Sequence, residues 1–171
     1  LETYPDMFAK ALLASPMFAL RKLKVKKVPR DAIRAYAKVT HRAKVLAPAE
    51  QYFDEMEAFE SSSMLSRARY DYTFRLRMED VYNHSYGASL GWGIAALDAM
   101  DKLMEEAGKI RIPVTIFAAG NDTLVDTDSF ETFKEQVPQT EILWYEMSEH
   151  EVYIARDAER IRFYGEVFNG I

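Results

Sequence analysis

The chain has 171 residues, enough for one domain with a real hydrophobic core and too few for two large ones. Hydrophobic residues make up 49% and charged residues 29%, which excludes a disordered tail, and a net charge of −5 argues against a dedicated nucleic-acid binder. With no cysteine there is neither a disulfide framework nor a thiolate metal site, and no apolar run approaches the roughly 18 residues that span a bilayer.

The first residues, Leu1-Glu2-Thr3-Tyr4-Pro5-Asp6, lack an initiator Met and read as the tail of a helix followed by a turn. The expectation is a piece of something longer, because a parallel strand follows almost at once and needs a neighbour. A processed chain is the alternative. Ala11 to Pro16 is a short apolar run closed by proline, which fits a buried strand or a turn of helix. Residues 21–30 carry six basic side chains in ten and read either as a solvated linker or as a patch for an anionic membrane surface.

Residues 31–107 look mainly helical. Asp31 to Val45 has few breakers, and an acidic stretch around Glu50 to Glu60 then interrupts. Ser61-Ser62-Ser63 can cap a helix running to about Asp80, with Leu65, Tyr72, Leu76 and nearby aromatics on its apolar face. Asn83 to Gly93 reads as a glycine-rich loop, after which Ile94, Leu97, Met100, Leu103 and Met104 trace a helix stripe that ordinary packing explains.

The last third changes character. Ile112 to Ala118 is a strand with Pro113 at its start, where no ladder donor is lost, and Gly120-Asn121-Asp122 turns out of it. Thr127 or Asp128 can cap a helix whose face is Phe130, Phe133 and Val137. Glu141 to Glu146 is a second strand, the loop Met147 to Glu151 follows, and Ile161, Tyr164 and Val167 or Phe168 mark a final helix. This alternation gives an α/β fold class, a short parallel sheet with crossover helices.

In such a sheet, functional residues gather on loops that leave the carboxyl ends of strands. Asp122 and His150 each sit on such a loop, and adjacent parallel strands bring the two loops together. A carboxylate beside an imidazole orients the ring and stabilises its charged form while it acts as base and then acid. Each residue also has a plainer reading, Asp122 as a turn cap and His150 as a surface histidine. His84, in the loop before Gly87, is read as surface with substrate contact as the alternative, and His41 as an exposed helix residue beside Arg42 and Lys44. No histidine and carboxylate cluster has metal-ligand spacing, and the chemistry calls for no cofactor.

The segment from Ile110 to Asp126 resembles the penultimate-strand region of α/β-hydrolases related to lysophospholipases and monoacylglycerol lipases, which reads I-x-x-P-V-L-x-x-x-G-x-D-x-x-V-D. The resemblance implies that Asp122 is the triad acid, with Asp126 and Asp128 shaping its loop. Met147-Ser148-Glu149-His150-Glu151 is similar to that family's x-G-A-x-H-E loop, with Ser148 where a glycine is usual, and implies that His150 is the triad base. Residues 61–70 and 87–92 resemble cap segments of lysophospholipase-like members, and residues 4–17 resemble the stretch after the nucleophile helix. The implied fold is a partial α/β-hydrolase, with residues 1–28 and 109–171 as its core and residues 29–108 as a helical cap.

The nucleophile of such enzymes sits in G-x-S-x-G on a sharp turn between a buried strand and a helix. Gly87-Ala88-Ser89-Leu90-Gly91 is a literal match, but the polar residues 78–86 before it cannot form that strand. Ser89 is therefore read as a cap residue, and the resemblance puts the serine upstream of Leu1. The expected function is the acid and base portion of a serine ester hydrolase for lysophospholipid or monoacylglycerol substrates, inactive alone. Aromatic and Met residues of the insert (Tyr52, Phe53, Met56, Phe59, Met64, Tyr70, Tyr72 and Phe74) suit acyl-chain binding or the insert's own core. The alternative is a non-catalytic module whose exposed strand edge pairs with the missing half or with a second copy. The expected location is cytoplasmic, with peripheral membrane contact through residues 21–30 as an option.

Overall fold

A computed structural model of the chain describes residues 1, 4, 6–21, 30–47, 50, 53, 58–62, 64–84 and 87–168. Most of the basic run, residues 22–29, and two of the expected acyl-chain residues, Tyr52 and Met56, lie outside the described residues.

Three parallel strands form the sheet: β1 (Ala11–Ala14), β2 (Val114–Ala119) and β3 (Thr140–Tyr145), in the order β1-β2-β3. Leu13 lies opposite Ile116, and Ile116 opposite Ile142. Every residue of the central strand β2 is buried, because both sheet faces are covered. Val114, Ile116 and Ala118 point to one face, where Phe130, Phe133 and Val137 come from α4 (Asp128–Gln136) and the residue after it. Phe117 and Ala119 point to the other, where Phe163 and Val167 come from α5 (Asp157–Phe168). Pro113 stands just before β2, as its missing N–H requires.

Between β1 and β2 the described residues include the helices α1 (Arg30–Val39), α2 (Arg67–Glu79) and α3 (Leu90–Glu106). Arg34 on α1 reaches both carboxylate oxygens of Asp98 on α3 at 2.6 Å. The stripe on α3 is buried or half-buried throughout, and Leu103 and Met104 join the sheet core with Ala107. Among the described residues, no helix is long and apolar enough to cross a membrane.

Several element details differ from the sequence expectations. Helix α1 stops at Val39, not Val45: Thr40 returns both its N–H and its hydroxyl to the Tyr36 carbonyl, and His41 then takes a left-handed conformation (φ 55°). His41 is thus exposed but outside the helix. Ser61 and Ser62 do not cap α2. Their hydroxyls donate to Ala58 and Phe59 carbonyls in a 3₁₀ turn, and α2 begins at Arg67. Its inner face is Tyr70 and Phe74, stacked 5.5 Å apart, whereas Tyr72 and Leu76 are exposed. On α5 the buried residue is Phe163, while Ile161 is 69% exposed and Phe168 also faces outward. Apolar residues occur all round these helices, so spacing alone could not choose the buried side.

Candidate active site

The site is built where β2 and β3 end. Gly120 follows β2, and a Cβ there would sit 2.7 Å from the Glu146 backbone, so glycine lets the two strand ends approach. Asn121 bridges the same gap: its N–H donates to the Ser148 carbonyl at 3.0 Å and its side-chain amide to the Glu146 carbonyl at 2.9 Å. The loop after β2 and the loop after β3 are therefore stitched together before either Asp122 or His150 is reached.

Asp122 comes next and is fully buried. Its Oδ1 accepts the N–H groups of Leu124 (2.8 Å) and Val125 (3.0 Å), an arrangement typical of aspartate in a turn. Its Oδ2 lies 2.8 Å from Nδ1 of His150. The plain reading of Asp122 as a turn residue holds on one carboxylate oxygen, and the other faces the His150 ring. The chain after β1 backs this loop: Leu20 pairs with Val125, the Asp126 N–H donates to Ala19, and the Arg21 guanidinium donates to the Asp122 carbonyl. Asp126, expected only to shape the loop, also caps α4. Its carboxylate accepts the Asp128 N–H at 3.3 Å, whereas Thr127 occupies the cap position without using its hydroxyl.

His150 sits five residues past β3 with its side chain 27% exposed. A carboxylate can only accept, so Nδ1 carries the proton toward Asp122 and Nε2 keeps a free lone pair. An imidazole oriented in this way can take up a proton at Nε2 and give it back.

A cavity of about 380 Å³ lies beside the pair. Thr123 and Leu124, just past Asp122, and Glu149 and Glu151, on either side of His150, line it together with Ser62, Met64, Tyr70, Phe74 and Arg77 of the helical insert. Of the aromatic and Met residues expected to hold an acyl chain, Met64, Tyr70 and Phe74 line this cavity, while Tyr72 is 57% exposed. Glu151 accepts a hydrogen bond from the Tyr153 hydroxyl at 3.0 Å, and burial together with that carboxylate pushes the phenol up to about 12.

The other histidines and Ser89 stand apart from the pair. His84 stacks on Phe53 with ring centroids 4.2 Å apart and is half-buried, not a surface residue. Ser89 caps α3, accepting the Trp92 N–H at 3.1 Å, and is bridged to Leu46. Among the described residues, no strand of the sheet leads into it. Among the described residues, no group of three histidine or carboxylate side chains could hold a metal ion.

A family model described as serine aminopeptidase, S33, matches residues 1–157. The chain belongs to that family. It is a family of α/β serine hydrolases, and the three-stranded sheet with its helices is a partial α/β-hydrolase fold. A monoacylglycerol lipase from Paleococcus ferrophilus superposes with a TM-score of 0.65 at 22% identity, over 97% of this chain and 60% of that enzyme. A soluble variant of monoglyceride lipase from Saccharomyces cerevisiae, solved with a substrate analog, gives 0.63 at 17% identity, over 93% of this chain and 54% of that one. The chain thus spans little more than half the length of these two lipases. No curated protein sequence matches it.

Sequence reasoning missed the partners that hold the two loops, namely Asn121, Arg21 and Glu159. Their bonds run between distant elements or to backbone atoms, and neither leaves a spacing signal.

Proposed function

We propose that Asp122 and His150 are the acid and base of a serine hydrolase that cleaves carboxylic esters. The observation that carries this reading is the 2.8 Å contact between His150 Nδ1 and an Asp122 carboxylate whose second oxygen is already committed to two backbone N–H groups. A carboxylate so anchored cannot swing away, and it holds the ring with Nε2 presented as base. Nε2 takes the proton of a serine hydroxyl as the oxygen attacks the ester carbonyl, then returns it to the departing alcohol. Asp122 stabilises the imidazolium between these steps without itself taking the proton.

The serine of this reading lies outside the 171 residues, because Ser89 is spent on a helix cap. The likeness to two monoacylglycerol lipases supports a monoacylglycerol ester as substrate, and the resemblance of the Asp122 and His150 segments to lysophospholipases adds a lysophospholipid. The cavity under the helical insert, which we read as a cap spanning residues 29–108, supports a bound substrate beside the pair. The test is hydrolysis of monoacylglycerol and a short-chain nitrophenyl ester by this chain and by a product extended upstream through a G-x-S-x-G turn. The expected result is turnover by the extended product only, lost in His150→Ala. Turnover by the 171-residue chain that disappears in Ser89→Ala would overturn the reading.

A second reading, a non-catalytic module, is favoured by one feature. Strand β1 lies at the edge of the sheet and pairs on one side only. A second copy or a partner strand would pair there. Concentration-dependent protection of the Leu12 and Ala14 amides from exchange, in a chain with no turnover in any extended form, would select it.

A further inference from the structure

We infer that Glu159, acting through Ser148, is the positioning residue for His150; the inference rests on His150 being the base of the proposed reaction. A histidine five residues beyond its strand is on a loop, and loops hold a side chain in place only where they are tied down. Two residues before His150, Ser148 is fully buried, an unusual place for a serine in a connecting segment. Every polar group of Ser148 has a partner. Its N–H donates to the Tyr145 carbonyl at 3.0 Å, closing the turn out of β3. Its carbonyl accepts the Asn121 N–H at 3.0 Å, which ties it to the loop of Asp122. Its hydroxyl donates to Glu159, in the first turn of α5.

Glu159 uses both carboxylate oxygens on this loop: one accepts the Ser148 hydroxyl and the other the Met147 N–H at 3.1 Å. A carboxylate is well placed in the first turn of a helix, where the exposed N–H groups favour negative charge. The base loop is thus gripped from the acid side by Asn121 and from the helix side by Glu159, with Ser148 as the shared point. In this chain the grip is built from Ser148 and Glu159 together. A displacement of about 1 Å at a reacting group can cost on the order of 100-fold in rate, so a clamp outside the reaction still governs it.

The experiment reads the proton on His150 Nδ1 by NMR, assigned by its loss in His150→Gln. Its exchange with water is compared with that of the Phe117 and Leu143 amides in β2 and β3. In Ser148→Ala and Glu159→Ala the ring proton is expected to exchange at least roughly tenfold faster while the sheet amides keep their protection. Glu159→Gln, which retains the side-chain length and one acceptor oxygen, is expected to fall between. The effect of Glu159→Ala is expected to shrink on the Ser148→Ala background, since the two act through one bond. Unchanged ring-proton exchange in both alanine variants overturns the inference. So does loss of sheet protection in step with the ring proton in every variant, which would make the two residues general supports of the fold. Because the readout is a proton and not turnover, failure of the hydrolase reading appears separately, as absence of ester cleavage by the extended product.

Discussion

Ser89 Oγ accepts the backbone N–H of Trp92 at 3.1 Å and so spends its hydroxyl on the first turn of α3. Gly91, two residues on, is where α3 meets the turn at residues 42–44; a Cβ there would lie 2.9 Å from the Ala43 carbonyl oxygen. Both conspicuous residues of Gly87-Ala88-Ser89-Leu90-Gly91 therefore have local jobs, capping and close packing. Ser89→Ala should lower stability by about 1 kcal/mol, and Ser89→Asp should keep most of it, since either side chain can accept the N–H. Urea midpoints decide the matter: an unchanged midpoint in Ser89→Ala removes the cap.

Asp122 serves two masters, and substitutions can separate them. Asp122→Ala leaves the Leu124 and Val125 N–H groups without their acceptor, a loss of about 2–4 kcal/mol for two such groups. Asp122→Asn keeps an oxygen for those groups and turns an amide toward His150, so it should cost less. The amide donates where the carboxylate accepted, which moves the ring proton from Nδ1 to Nε2. The two ring nitrogens should exchange their ¹⁵N shift patterns in Asp122→Asn. Retention of the Nδ1 proton in that variant would show that Asp122 does not set the tautomer.

The strands, the crossover order and the meeting of Asp122 with His150 were legible because each announces itself locally. Pro113 before a run of apolar residues, Gly120-Asn121-Asp122 after it, and the run at 141–145 all read directly as strand and turn. The start of α3 was not legible, since its glycines look like a loop until Ser89 is seen capping and Gly91 is seen against Ala43. Helix faces on α2 and α5 were legible only in part: Tyr164 and Val167 pack against the core as expected, but tertiary packing, not spacing, chose Tyr70 over Tyr72 and Phe163 over Ile161. The grip of Glu159 on Ser148 lay beyond reach for a related reason: a carboxylate 11 residues away has no pattern that points back at a loop hydroxyl.

Arg69 joins the helical insert to the segment after His150. Its guanidinium donates to the Ala155 carbonyl at 2.9 Å and to the Asp157 carboxylate at the start of α5. The Arg69 side chain is only 22% exposed, so the backbone bond is the more valuable of the two. Arg69→Ala should raise amide exchange in α2 and at residues 152–157, with β2 unaffected. Arg69→Lys should restore only part of the protection, because a single ammonium cannot span both acceptors as the planar fork does. Equal exchange in wild type and Arg69→Ala would show that the insert is held by its apolar contacts alone.

Gly120→Ala tests the approach of the two strand ends. The added Cβ would meet Glu146 backbone atoms at 2.7 Å, and backbone cannot rotate aside as a long side chain can. The ends of β2 and β3 must part where the loops of Asp122 and His150 leave them. A destabilisation of roughly 1–3 kcal/mol is expected. The His150 Nδ1 proton should exchange faster than that loss of global stability alone accounts for. A substitution that lowers the unfolding midpoint but leaves the ring proton's local protection intact would separate strand spacing from the geometry of the pair.

Tyr145, the last residue of β3, gives the fold a dependence on alkaline pH. It is fully buried, its hydroxyl donates to Glu166 on α5, and burial first and Glu166 second raise its pKa well above the ordinary value near 10. The sign follows from which state loses its proton first. In the unfolded chain the phenol ionises near pH 10, while in the folded chain it stays neutral, so the unfolded state binds fewer protons above that point. The contribution is therefore complete below about pH 10 and is lost as pH rises toward the folded value. Tyr153, raised to about 12 by burial and Glu151, acts in the same direction but is more exposed and contributes less. Tyr145→Phe should cost about 1 kcal/mol at neutral pH, since Glu166 keeps its 2.8 Å bond to Arg162, and should flatten the fall in stability above pH 10. Denaturant midpoints measured from pH 8 to pH 11 would show it; parallel curves for wild type and Tyr145→Phe would mean that the phenol ionises equally in both states.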